Sequence, residues 1–150
     1  MGLKEEIIEK RREMVVDSYA MSIGEIVNLY KDSELNVHPE FQRFFRWDEE
    51  QKTKLIESIL LGIPIPPIFV SQRLNGIWDV IDGQQRLSTI LQFMNVLKRD
   101  DGTAYNSLVL RGTKFLPSLK GVAWDNEELF PPEQKISFKR EKLNFTIIKE

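Results

Sequence analysis

The sequence has no cysteine and only one histidine among its 150 residues. Without thiols the chain forms no disulfide or thiolate metal site, and His38 alone does not make a histidine zinc centre or a Ser-His triad. An excess of positive charge is also missing, because 23 acidic residues stand against 21 basic ones. Any contact with a nucleic acid must therefore use a local basic patch or another domain. Otherwise the ligand is a nucleotide rather than a duplex.

Long apolar runs are absent too, and the N-terminus is charged, with no apolar signal core. These absences predict a cytoplasmic protein that does not contact a membrane. What the sequence does contain is 41% hydrophobic residues, including nine phenylalanines and three tryptophans. This content is sufficient for the core of a single domain over residues 1–150, with residues 1–14 as an appended helix.

Apolar periodicity predicts an α+β protein, a small mixed sheet with surrounding helices. We expect helices over 3–14, 22–33, 49–61, 84–97 and 132–140, and strands over 14–21, 35–37, 68–71, 77–81, 107–110 and 143–148. Ser22 to Glu25 and Asp48 to Gln51 are typical capping boxes, and Gly62 suits a left-handed helix end. Asn75-Gly76 predicts a hairpin turn, because both residues tolerate positive φ.

The segment Asp82-Gly83-Gln84-Gln85-Arg86 lies where a predicted strand passes into a predicted helix. A helix N-terminus attracts anions, a glycine permits close approach of a ligand, and an arginine matches phosphate oxygens. Asp82 can hold a magnesium ion, and the two glutamines can bond a ribose, a base or an attacking water. A purely structural interpretation is also open, in which Asp82 caps the helix and Arg86 faces solvent.

A second group of candidate residues comprises Gln42, Arg43 and Arg46, interleaved with aromatic residues. Two arginines three residues apart can hold phosphates while the rings form a wall or stack on a base. Alternatively, the aromatic residues belong to the core and the arginines face solvent. The sequence leaves both interpretations open.

These motifs occur in an order that resembles a known family. The order is Pro39–Arg43, Trp47–Glu49, Leu55–Ile68 and Val80–Leu87, and it resembles the N-terminal domain of the GmrSD-type modification-dependent restriction endonucleases. The resemblance is strong over residues 15–97 and weaker elsewhere. More distantly, the layout is similar to the nucleotide-binding fold of ParB and sulfiredoxin.

The resemblance implies a site for a nucleoside triphosphate of unspecified base with Mg²⁺. Gly83, Gln84, Gln85 and Arg86 are then expected to face the phosphates, with Asp82 near the metal or the attacking water. Gln42 and Arg43 would close over the nucleotide from the other side, and Ser58 matches the serine of the family's helix-end motif. If the nucleotide is hydrolysed, the expected catalytic residues are Asp82, Gln85 and Arg86.

The family couples the nucleotide to cleavage of modified phage DNA, often through a separate C-terminal nuclease domain. With one histidine this chain is not expected to cleave DNA itself, and we expect it to be a fragment of a longer protein that acts through a nuclease domain or partner subunit. Three functions remain open at this stage. They are an NTPase, a non-catalytic module that senses a nucleotide or DNA, and an interaction domain whose first helix forms a homodimer contact.

Overall fold

A computed structural model of the protein describes residues 2–37 and 47–149, and these form an α+β fold, which confirms the predicted class. The helices are α1 (Leu3–Glu13), α2 (Ile23–Lys31), α3 (Glu49–Leu60), α4 (Gln84–Phe93) and α5 (Pro132–Arg140), and a short 3-10 helix spans Pro117–Leu119. The strands are β1 (Val15–Ser22), β2 (Leu35–Asn36), β3 (Ile68–Gln72), β4 (Trp78–Asp82) and β5 (Lys142–Lys149). No helix within these two ranges is long and apolar enough to cross a bilayer.

The described strands form one mixed sheet in the order β1-β5-β3-β4-β2. Strand β5 pairs antiparallel with β1 and parallel with β3, while β3 and β4 form an antiparallel hairpin. The last strand in the sequence is therefore interior in the sheet. Its alternate residues Leu143, Phe145 and Ile147 are buried, as expected for a strand with a core face.

Local capping explains where α2 and α3 begin. Asp48 and Gln51 form the complete predicted box, with bonds of 2.8 Å and 3.0 Å between side chains and backbone N–H groups. At α2 the Ser22 hydroxyl accepts from the Glu25 N–H, but the Glu25 carboxylate accepts from that hydroxyl and not from the Ser22 backbone. The second box is therefore only half formed, because Ser22 is also the last residue of β1.

Two local predictions were wrong in detail. Helix α4 ends at Phe93 rather than at residue 97, because Asn95 adopts a left-handed φ of 61°. No strand forms over 107–110, which is a loop with Leu108 and Leu110 buried and Val109 exposed, and the Leu110 N–H donates to the Val122 carbonyl. The hairpin turn predicted at Asn75-Gly76 does form between β3 and β4, with a positive φ at Gly76 and the Asn75 side chain accepting from the Ile77 N–H.

Helix α4 is the most deeply buried helix that we describe, and every residue from Leu87 to Phe93 is buried. The Phe93 ring packs edge-on against Trp124, Phe130 and Phe138, with ring centroids 5.3 to 5.6 Å apart. Such pairs stabilise a core beyond their buried area. This packing holds α4 against the domain and so fixes the position of the turn at its N-terminus.

Candidate functional site

The turn between β4 and α4 requires a glycine. Gly83 precedes the first helical residue with a φ of 110°, and no side chain caps the helix there. A Cβ atom added to Gly83 would lie 2.5 Å from Cδ1 of Ile68. The left-handed φ and this short contact both disfavour a side chain at position 83. The first N–H groups of α4 therefore receive no hydrogen bond from a capping side chain.

Arg86 is held inside this turn rather than extended into solvent. Its side chain is only 13% exposed, and Nη2 lies 3.6 Å from the Asp82 carboxylate. Nη1 donates to the carbonyl oxygen of Pro66 and, at 3.4 Å, to that of Pro67. Burial lowers the pKa of Arg86, while the charge of Asp82 acts in the opposite direction. The guanidinium therefore ties the first turn of α4 to the segment before β3.

Asp82 and the two glutamines have different surroundings. The Asp82 side chain is 71% exposed at the end of β4, where a metal ion or water can reach it. The Gln84 amide donates back to the carbonyl oxygens of Val80 and Ile81, at 3.1 and 3.2 Å. Gln85 is half-buried on α4, and its backbone carbonyl accepts from the Thr89 hydroxyl. The turn thus offers one open carboxylate beside a largely enclosed cation.

The structure brings Asp82, Gly83, Gln84, Gln85 and Arg86 together in one turn. Ser58 lies in the last turn of α3, and within residues 2–37 and 47–149 no hydrogen bond joins it to that turn. The remaining candidates Gln42, Arg43 and Arg46, like His38, lie outside the described residues. Their expected place over the nucleotide stays a prediction.

The oxygen atoms of Asp82 are the donor atoms that the turn could offer to a metal ion. No group of three His, Cys, Asp or Glu residues that could hold a metal occurs in the part of the chain that the structure describes. Mg²⁺ commonly takes one or two carboxylates and completes its shell with water and substrate phosphates. The Asp82 carboxylate, 71% exposed, could serve as one such ligand.

Sequence reasoning missed one polar feature at the turn and one elsewhere, in α3. The carbonyl oxygens of Pro66 and Pro67 are the acceptors that orient Arg86, and no side-chain motif announces them. Glu57 in α3 is buried, and its Oε2 atom receives no hydrogen bond from the described residues. Its position four residues after the buried Thr53 places it on the packed face of α3, so helical spacing contained that signal.

The sheet and the uncapped turn define an α+β domain with an anion-compatible strand-to-helix junction. A family profile described as the GmrSD restriction endonuclease, N-terminal domain, matches residues 23–150. The chain belongs to this family and is therefore part of a restriction system. The match includes the last third of the chain, where the sequence motifs are weak. Comparisons with curated proteins and with solved structures found no match.

Proposed function

We propose that the Asp82–Arg86 turn binds the phosphates of a nucleoside triphosphate with Mg²⁺, in the service of a DNA-restriction protein. The observation that carries the proposal is the helix N-terminus at Gly83, which has no side-chain cap and adjoins an exposed carboxylate. Backbone N–H groups and the helix dipole favour a phosphate at such an end. Membership in a restriction-endonuclease family supplies the biological setting.

Each residue of the turn has a distinct role in this proposal. Gly83 allows the phosphate to approach the backbone, and Asp82 would hold Mg²⁺, which neutralises charge between the phosphates when bound. Arg86 contributes a positive charge from a largely desolvated position, where its attraction for a phosphate is stronger than in water. Because Nη1 donates to the Pro66 carbonyl oxygen, Arg86 also stabilises the conformation of the turn.

If the bound nucleotide is hydrolysed, Asp82 or Gln85 would orient the attacking water and Arg86 would offset the developing charge. The second candidate function is nucleotide sensing without turnover. One observation favours it: Arg86 links the turn to the Pro66–Pro67 segment and hence to β3. Through that link, nucleotide binding at the turn would change the conformation of the Pro66–Pro67 segment. That change would regulate a nuclease domain or partner subunit that acts on DNA. The likeness to ParB and sulfiredoxin, and the roles of Ser58, Gln42, Arg43 and Arg46, are part of the same proposal.

Calorimetric titration with ATP, GTP, CTP and UTP, with and without magnesium, tests the proposal. We expect one nucleotide to bind, Asp82→Asn to remove the magnesium dependence, and Arg86→Ala to weaken binding about tenfold to a hundredfold. The matched control is Arg140→Ala, because Arg140 is exposed at the end of α5. Absence of binding by all four nucleotides, in this chain and in its intact parent protein, would refute the proposal.

Phosphate release measured on the same proteins separates the two candidate functions. Magnesium-dependent release that is lost in Asp82→Asn identifies an NTPase. Binding without release in the intact parent protein identifies a sensor.

A further inference from the structure

Strand β1 leaves one side of its backbone open for pairing. It bonds β5 along all eight residues without a shift in register, and among the described residues no strand lies on its other side. Val15, Val16 and Tyr19 are 51%, 61% and 47% exposed. The strand contains no proline or lysine, the residues that most often block pairing at a sheet edge.

A cavity of about 500 Å³ lies beside this strand. The rings of Tyr19 and Trp78 border it with centroids 6.0 Å apart, and Glu25 and Glu34 line it as well. None of the described residues that line it is basic. Aromatic faces together with carboxylates favour a guanidinium or ammonium group.

Helix α1, which directly precedes β1, carries such groups. None of its residues is buried, and its last turn contains Lys10, Arg11 and Arg12. Lys10 pairs with Glu13, whereas Arg11 and Arg12 form no ion pair with any described residue. Helix α1 therefore presents two exposed guanidinium groups within four residues of the open strand.

We propose that a second copy of this chain docks here, with the two β1 strands paired antiparallel about a twofold axis. If the axis passes at Ser18, Val15 of one copy lies beside Met21 of the other. The end of α1 is then level with the start of α2, where Glu25 borders the cavity. Arg11 and Arg12 of each copy enter the acidic aromatic cavity of the other, and the two sheets become one.

The positions of the two charged groups favour a second copy over an unrelated partner. A twofold interface must be self-complementary, so that the group at one end of the strand faces the group at its other end. The basic turn of α1 precedes β1, and the carboxylate of Glu25 follows it. The same surface therefore contains both halves of the charge pairing.

Light-scattering mass across micromolar protein concentrations gives the first test, without nucleotide. We expect twice the chain mass, and the monomer mass for Val16→Lys, which places a charge on the open edge. The control Leu74→Lys adds the same charge at a fully exposed hairpin position and should remain dimeric. The proposal would be overturned if the unsubstituted chain is a monomer, or if the Val16→Lys variant is still a dimer.

Reversed charges test the predicted pairing directly. Arg11→Glu/Arg12→Glu in one variant and Glu34→Lys in another each place like charges together, and each should self-associate about tenfold more weakly or worse. Glu34 is chosen because the Glu25 carboxylate also accepts a hydrogen bond from the Ser22 hydroxyl that caps α2. Mixing the two variants restores opposite charges at both contacts, so a heterodimer should form. Failure of the mixture to associate, with both variants folded by circular dichroism, would exclude this interface and leave the proposed nucleotide site untouched.

Discussion

The N-terminal arm, made of α1 and β1, and the turn at the start of α4 contain similar residue types in opposite environments. Helix α4 buries seven consecutive residues after its first turn, whereas α1 buries none. Arg86 is nearly enclosed and donates to two backbone carbonyls, while Arg11 and Arg12 are exposed. Helix α4 is therefore fixed by the core, whereas α1 is open to solvent.

This difference separates the proposed ligand site, which is preorganised, from the proposed association surface, which is not. An arginine bonded to carbonyls and shielded from water keeps one position, so a ligand finds its charge already placed. An exposed arginine loses side-chain entropy when it binds and makes only weak pairs with neighbours on its own helix. This contrast agrees with the proposals that the turn binds a ligand and that the arm associates with a second copy, and four predictions test the difference in packing on which both proposals rest.

The largest expected effect comes from removing the ring at the C-terminal end of α4. Phe93→Ala should lower the free energy of unfolding by about 3 to 5 kcal/mol, because Phe93 is fully buried among three aromatic rings. Ile7→Ala on the half-exposed face of α1 should change it by less than about 0.5 kcal/mol. Urea denaturation measures both. Equal losses would mean that the arm is packed as tightly as α4.

Gly83→Ala should destabilise the chain by about 2 to 4 kcal/mol, through left-handed strain and overlap with Ile68. Gly76→Ala is the matched control, because Gly76 has a φ of 90° but no atom within 4 Å of an added Cβ. It should lose only the strain, about 1 to 2 kcal/mol. Adding Ile68→Val to Gly83→Ala removes the Cδ1 atom, so this double variant should recover part of the stability that Gly83→Ala loses. No recovery in that double variant would contradict the contact.

Arg86→Ala should destabilise by about 1 to 3 kcal/mol, because the Pro66 and Pro67 carbonyls and Asp82 lose a charged donor. Arg86→Lys should recover only part of this, since a lysine lacks the planar fork that reaches both groups. Arg11→Ala, in the arm, should stay within about 0.5 kcal/mol. An Arg86→Ala variant as stable as the parent would show that the turn does not depend on these bonds.

The smallest effects concern two tyrosines, Tyr30 in α2 and Tyr19 in the arm. The Tyr30 hydroxyl accepts from the Lys98 N–H at 3.1 Å, so Tyr30→Phe should lower stability at neutral pH by about 0.5 to 1.5 kcal/mol. Tyr19→Phe should change the free energy of unfolding of the monomer by less than about 0.5 kcal/mol at that pH.

Stability measured against pH then isolates the hydroxyl of the half-buried Tyr30. Burial raises the pKa of Tyr30 above its ordinary 10.0, with the Lys98 hydrogen bond acting in the opposite direction. The folded state therefore holds this proton more tightly than the unfolded state. Its contribution is present below pH 10.0 and is lost as the pH rises through the folded pKa. The decline above that pH should be shallower in Tyr30→Phe, and identical slopes would contradict the shift.

Features that depend on neighbouring residues were predictable. Asp48 and Gln51 lie three residues apart, so their capping box follows from local geometry alone. Gly62 ends α3 with a left-handed φ of 72°, again through bonds within a single turn. The strand-to-helix turn at Gly83 was predicted for the same reason. The family was recognisable because several such segments occur in a fixed order.

Features that join distant residues were not predictable in detail. Nothing in the Leu143–Ile148 pattern shows that its strand lies between β1 and β3. Leu108 and Leu110 are buried, and their alternation with polar or exposed positions suggested a strand, but they lie in a loop. An alternating pattern indicates which side chains are buried and does not indicate hydrogen-bond partners. Arg86 was expected to face solvent or phosphate, and its bonds to carbonyls 19 and 20 residues away could not be inferred.

The sequence by itself determined the α+β class, the boundaries of most elements, the glycine turn and the family. These depend on interactions within a few residues, whose energies are decided before the chain closes on itself. Only the tertiary structure decided the strand order, the enclosure of Arg86 and the exposure of α1. These depend on which distant surfaces exclude water together, and burial converts the same charged side chain from a mobile surface group into a fixed part of a site.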